Sequence, residues 1–270
     1  MQQKAYEMTL LQEREVLLNR QLEAANAALK QTQERLRKEL DDASLYIRSL
    51  LPAPMSAPFT AEWCFVPSTE LGGDAFGYHW LDPEHFAFYL LDVCGHGIGP
   101  SLLSVAVLHL LQAASLRGVD FRDPAQVLAA LNQAYQMEND RDLYFTLGYG
   151  VYEPARHLLK FACAGHPPVL LLDPARGETI LLDAGGLPIG LMPDAPYMTE
   201  TAKIPEGWQL FLFSDGAYEV ERPDGTMMTL SEFVDYMKTG AGLDSLYQYL
   251  LAQGRSDTLE DDFSIIRLGF

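Results

Sequence analysis

From about Tyr6 to Leu50 the chain holds no Gly or Pro and is dominated by Ala, Leu, Glu, Gln, Lys and Arg, residues that lose little side-chain freedom in a helix. Leu18, Leu22, Ala25, Leu29, Thr32 and Leu36 follow alternating steps of four and three, the spacing of a coiled-coil seam. A second step of four, from Leu36 to Leu40, interrupts it before Ala43, Ile47 and Leu50 resume, a slip that locally unwinds a supercoil. The pattern predicts one long helix. Two uses stay open: a coiled coil that makes the protein a homodimer, or an amphipathic helix lying on its own domain. Pro52, Pro54 and Pro58 then stop the helix, which divides the chain into a helical linker over residues 1–50 and a domain over residues 51–270.

Past that boundary the period changes. Runs rich in aromatic and branched residues predict strands at Ala61–Val66, Phe86–Val93, Phe145–Tyr152, Leu158–Ala164, Val169–Leu172, Gln209–Ser214 and Phe263–Leu268. Helical patterns fall at Ser101–Leu116, apolar nearly all round and so expected to be buried, at Pro124–Met137, at Ser231–Lys238 and at Leu243–Gln253. The short link Glu153–His157 predicts a hairpin and therefore antiparallel sheet. With no regular βαβ rhythm, the expected class is α+β, two antiparallel sheets flanked by helices and preceded by the long helix.

Charge sharpens the picture. Residues 1–50 carry eight Lys/Arg and eight Asp/Glu, so the net charge of −18 arises between Leu51 and Phe270. An acidic domain repels phosphate backbones and anionic lipid, which argues against nucleic-acid or membrane partners. Cys64, Cys94 and Cys163 lack the number and spacing of a disulfide framework or a zinc site and read as buried thiols in a reducing compartment. With no apolar run long enough to span a bilayer and no signal-peptide pattern, the cytoplasm is the expected location.

Part of that acid sits where strands end. Phe86–Leu91 runs into Asp92-Val93-Cys94-Gly95-His96-Gly97-Ile98-Gly99-Pro100, Gln209–Ser214 into Asp215-Gly216, Glu260-Asp261-Asp262 precedes the last strand, and Gly72-Gly73-Asp74 precedes Phe76. One Asp beside Gly is ordinarily a turn device. Four at the ends of different strands can share a cleft, where they would repel one another unless cations intervened. Oxygen ligands suit Mg²⁺ or Mn²⁺, and two such ions can bind a phosphoryl group and activate water. The loop Gly95–Pro100, with small residues that allow close backbone approach and Pro100 in the first turn of a helix, would let an anion approach free amides, which makes Gly95, His96 and Gly97 the candidate phosphate loop. His96 and His166 are either ligands or props of the backbone.

Taken in order, Glu70-Leu-Gly-Gly-Asp74, Asp92-x-x-Gly-His-Gly97, Ala164-Gly-His-Pro-Pro168, Phe213-Ser-Asp-Gly216 and Asp261-Asp-Phe-Ser264 resemble the PPM-type (protein phosphatase 2C-like) phosphatases of the SpoIIE and RsbU branch. The resemblance implies an α–β–β–α sandwich with a two-metal centre holding Mn²⁺ or Mg²⁺. Asp92 would bridge both ions, Val93 would offer its carbonyl, Asp74 would hold one ion, and Asp215 with Asp261 the other, Asp261 being chosen over Asp262. Asp92 and Asp215 are the residues expected to matter most for catalysis. Two positions depart from the family pattern: Gly77 stands where a second Asp is common, and Ile98-Gly99-Pro100 where small alanines are. No motif supplies a phosphate-binding arginine, Arg141 included. The resemblance also implies a phosphorylated STAS-domain anti-sigma-factor antagonist as substrate and an upstream receiver or sensor domain joined through the helix, the chain being a fragment of a response regulator. A pseudo-phosphatase adaptor and a nucleotide phosphohydrolase are the alternatives.

Overall fold

The computed structural model describes residues 2–69, 71–137 and 143–270, with side chains from Arg14 onward except Val16; Glu70 and Arg141 lie outside the described residues. The chain divides into two compact units, Met1–Arg48 and Ser49–Phe270. The first is helix α1, Gln2–Ser49. Its seam residues Leu18, Leu22, Leu29 and Leu36 are all exposed, and its ion pairs, Lys30 with Glu34 and Arg35 with Glu39, are solvated i,i+4 contacts that add little.

The second unit is built on ten strands. Strands β1 (Thr60–Val66), β6 (Val169–Asp173), β7 (Glu178–Leu182), β9 (Gln209–Phe213) and β10 (Phe263–Gly269) form one sheet in the order β1-β10-β9-β6-β7. Strands β2 (Ala75–Asp82), β3 (His85–Val93), β4 (Phe145–Glu153), β5 (Leu158–Ala164) and β8 (Glu200–Lys203) form the other in that order. All pairings are antiparallel, and β4 and β5 make the expected hairpin, with Leu147 opposite Ala164.

Three apolar clusters hold the layers together, as a sandwich requires. Phe76, Phe88, Leu90, Phe161, Leu212 and Ile266 fill the space between the sheets. Tyr89, Val93, Leu147 and Tyr149 meet helices α2 (Ile98–Gln112) and α3 (Pro124–Ala134) on the outer side of the β2–β8 sheet. Phe211, Phe213, Phe263 and Ile265 meet α4 (Leu230–Met237) and α5 (Leu243–Gln253) on the other side. The result is the α–β–β–α sandwich.

Several expectations need correction. Strands β2, β7 and β8 escaped prediction because Gly77 and His79 interrupt the first, while the other two are short, charged edge strands, a common protection against edge pairing. Helix α2 ends at Gln112 and is not buried all round: Pro100, Ser101, Ser104, Val107, Leu108 and Leu111 are covered, but Ile98 and Leu102 face solvent. Helix α3 stops at Ala134; in its last turn the buried Asn132 donates to the Met192 carbonyl at 3.0 Å and accepts from Gly190 N–H at 2.9 Å, fastening the 190–192 loop to the end of the helix. Of the three cysteines only Cys163 is fully buried, and burial pushes its thiol up to about 12.

Candidate metal centre

The two sheets bring their loop-bearing ends to one edge of the sandwich. Asp92 stands at the end of β3 opposite Thr146 of β4. Asp215 opens a single helical turn directly after β9, where its carbonyl accepts the Tyr218 and Glu219 amides. Asp261 lies just before β10. These three line a cleft of about 380 Å³, together with Cys94, Gly95, His96 and Thr146. Asp74 comes in from the start of β2, almost wholly buried, with both carboxylate oxygens lacking any hydrogen-bond partner among the described residues.

One carboxylate holds the rest in place. Asp262, buried, accepts Ser68 N–H at 2.7 Å and Ser68 Oγ at 3.0 Å on one oxygen, and Gly73 N–H at 2.6 Å and Asp74 N–H at 3.3 Å on the other. A Cβ at residue 72 would lie 2.3 Å from this carboxylate, and one at residue 73 would lie 2.5 Å from the Val93 carbonyl, so both glycines follow from close approach rather than from unusual torsions. Ser214 completes the frame: its hydroxyl donates to the Asp262 carbonyl at 3.1 Å and accepts Ser264 N–H at 3.1 Å. The two neighbouring aspartates thereby take different work, Asp262 inward to the backbone and Asp261 toward the cleft.

Electrostatics agrees with the geometry. Burial first, then the charges of Asp215, Asp261 and Asp262, raises Asp92 to about 7. Burial, with Asp261 and Glu219, raises Asp215 to about 6. Asp74 is pushed well above the carboxylate range by burial and then by Asp92 and Asp262, and burial also raises Asp261. Among the described residues no three His, Cys, Asp or Glu side chains are closed into a ready-made ion cage. The donor set still fits hard divalent cations: all-oxygen ligands, surplus negative charge, and a buried carboxylate with neither oxygen hydrogen-bonded among the described residues.

The remaining candidates separate by position. Gly95 and His96 line the cleft; Gly97 instead donates its N–H to the Leu71 carbonyl at 3.1 Å, fixing the start of α2. His166 is a prop: fully buried, held neutral by a pKa lowered to about 3 through burial, with Nδ1 2.9 Å from Thr146 Oγ1. Gly77 is required because Tyr89 crosses it from the next strand; a Cβ there would lie 2.7 Å from the phenolic oxygen. A wider depression, about 750 Å³, lies at the opposite end of β3, but its Lys160 and Arg156 are already paired with Glu153, at 2.9 and 3.0 Å.

This architecture is that of the protein phosphatase 2C class. The structure superposes on the SiaA-PP2C domain of Pseudomonas aeruginosa with a TM-score of 0.76 at 22% identity, over 88% of this chain and 98% of that one. It superposes on the PP2C domain of SpoIIE from Bacillus subtilis with a TM-score of 0.68 at 19% identity, over 80% of this chain and 64% of that one. The family described as Stage II sporulation protein E (SpoIIE) matches residues 82–270, and the chain belongs to it. Phosphoserine phosphatase RsbP of B. subtilis (strain 168) is 31% identical over 156 residues, 56% of this chain but only 38% of that protein. Phosphoserine phosphatase RsbU of the same strain is 27% identical over 252 residues, 89% of this chain and 72% of RsbU.

Two predictions follow from the division of labour and from the raised acids. Asp262→Ala should cost about 2–3 kcal/mol in urea unfolding, because it strands buried amides, whereas Asp261→Asn should leave stability unchanged or higher; equal costs would remove the distinction. A carboxyl with a higher pKa in the fold than in the chain favours the folded state at low pH and loses that advantage as pH rises from the ordinary 3.8 through about 6 to 7. In chelator, the melting temperature should therefore fall between about pH 4 and about pH 7, less steeply for Asp92→Asn, and millimolar Mn²⁺ should restore it in wild type alone.

Proposed function

We propose that the domain is a metal-dependent protein serine/threonine phosphatase that hydrolyses phosphoserine on a regulatory protein. The observation that carries the reading is the buried Asp74, with both oxygens unpartnered, beside a cleft in which Asp92, Asp215 and Asp261 all have raised pKa values. Asp92, whose neighbours include acids from both sheets, is suited to bridge two ions. Asp74 and the Val93 carbonyl would serve one of them, and Asp215 and Asp261 the other. When bound, two Mn²⁺ or Mg²⁺ ions supply neutralisation of the phosphoryl charge and an acidified water.

The chain's own residues do the positioning. Asp262 anchors the Gly73–Asp74 turn, Ser214 couples the Asp215 strand to the Asp261 loop, and His166, neutral and buried, holds Thr146 against the cleft without adding charge. Retention of Asp74, Asp92, Asp215 and Asp261 favours an active enzyme over an adaptor. Wild type should release phosphate from a generic aryl phosphate and from phosphoserine peptides only with Mn²⁺ or Mg²⁺, and Asp92→Asn or Asp215→Asn should leave less than about a tenth of that rate, a barrier rise above about 1.4 kcal/mol. Turnover confined to nucleotides would move the chain to another class of phosphohydrolase, and no turnover with retained metal binding would make it an adaptor.

The family likeness supports a phosphorylated STAS-domain anti-sigma-factor antagonist as the substrate, a receiver or sensor as the upstream partner, and the cytoplasm as the site of action; no described helix is long and apolar enough to cross a membrane. The exposed seam of α1 supports a homodimer. Leu22→Asp with Leu29→Asp should convert dimers to monomers in sedimentation, and an unchanged sedimentation coefficient would overturn that assignment.

A further inference from the structure

Helix α2 contains no Asp, Glu, Lys or Arg in its fifteen residues, Ile98–Gln112. A helix on the surface of a sandwich ordinarily turns a polar face outward, and α4 and α5 do so, with exposed Ser231, Asp235, Asp244 and Gln248. On the first turns of α2 the outward face is apolar, the exposed His109 coming only in the last turn. Ile98 is 60% exposed and Leu102 64%, one turn apart and therefore adjacent on the surface, with Ala106 exposed a turn further on. The start of this ridge is rigidly placed, through Gly97 N–H on the Leu71 carbonyl and Ser101 Oγ on the Gly72 carbonyl. It lies two residues beyond His96, which lines the cleft.

The opposite lip has different chemistry. It comes from the other sheet, where Glu219 follows Asp215 by one helical turn and Glu260 precedes Asp261; both are exposed, and Glu260 lines the cleft. A phosphoserine entering the cleft must carry its flanking residues across one lip or the other. We propose that Ile98 and Leu102 form the docking ridge for the phosphoprotein substrate, receiving an apolar side chain on one flank of the phosphoserine while Glu219 and Glu260 receive a Lys or Arg on the other. The occupant is the substrate rather than a second copy of the chain, because the ridge begins two residues beyond the cleft-lining His96, and Glu260 of the same cleft would repel a second domain, whose residues 51–270 carry the whole net charge of −18. The proposal rests on the phosphatase reading above and adds selectivity to it.

The test uses the full chain with Mn²⁺ and four probes: an aryl phosphate, a phosphoserine peptide flanked only by Gly and Ser, and two peptides carrying Leu on one flank and Lys on the other, in opposite orders. Wild type should hydrolyse one of the last two with kcat/KM about tenfold or more above the Gly/Ser peptide, the effect of burying one aliphatic side chain. Ile98→Ser with Leu102→Ser should erase the part of that preference due to Leu and leave aryl phosphate turnover and sedimentation unchanged. Glu219→Gln should erase part of that due to Lys. Aryl phosphate hydrolysis without peptide preference in wild type, or a preference untouched by the Ser variants, would overturn the docking ridge while sparing the phosphatase reading. A Ser double variant that loses dimers would assign the ridge to a second copy, and one that loses aryl phosphate turnover equally would reduce it to a support for the cleft; either result also overturns the proposal. Failure of wild type on all four probes would remove the phosphatase reading and the ridge with it.

Discussion

Four hydrogen bonds from Ser68, Gly73 and Asp74 converge on the carboxylate of Asp262, and through them the segment joining β1 to β2 is fastened to the last strand of the opposite sheet. The carbonyl of the same residue receives Ser214, so β9 is fastened at the same point. Buried charge of this kind is costly unless fully hydrogen-bonded, and here the bonds are supplied. The consequence is geometric: two sheets packed through apolar side chains are tied together by hydrogen bonds at the edge where Asp74, Asp92, Asp215 and Asp261 emerge.

That lock works against the acids it assembles. Burial and neighbouring charges raise the pKa values of Asp74, Asp92 and Asp215, so their ionisation as the pH rises toward neutrality opposes the stability that the three apolar clusters supply. Such opposition between local stability and site chemistry is expected where binding, rather than packing, has shaped the residues. It also accounts for the rigidity around the cleft, from the neutral His166 under Thr146 to the glycines at 72 and 73 that permit contact no Cβ would allow.

Much of this was legible before any coordinates. Seven strands announced themselves through aromatic and branched runs, and the placement of Asp74, Asp92, Asp215 and Asp261 at strand ends singled them out as candidates. Strands β7 and β8 did not, because an edge strand is stabilised by one neighbour and tolerates Glu, Thr and Lys, which carry no strand signal. Helix α2 misled in the opposite sense: an apolar face reads the same whether a core or a binding partner is to cover it. Asp261 and Asp262 are chemically identical in sequence, and only the amides aimed at Asp262 separate anchor from cleft acid. The glycine at 77 could be noted as a departure but explained only by the Tyr89 ring lying across it.

The central claim is that one cluster of aspartates holds two divalent cations. Titration of the metal-stripped full chain with Mn²⁺, followed by calorimetry or by the loss of the free-ion paramagnetic resonance signal, reads this without reference to substrate. The account predicts about two ions per chain for wild type, with Asp92→Asn losing affinity for both by about tenfold or more, since the bridging charge serves each. Binding of no ion, or stoichiometry and affinity unaltered by Asp92→Asn, would contradict it.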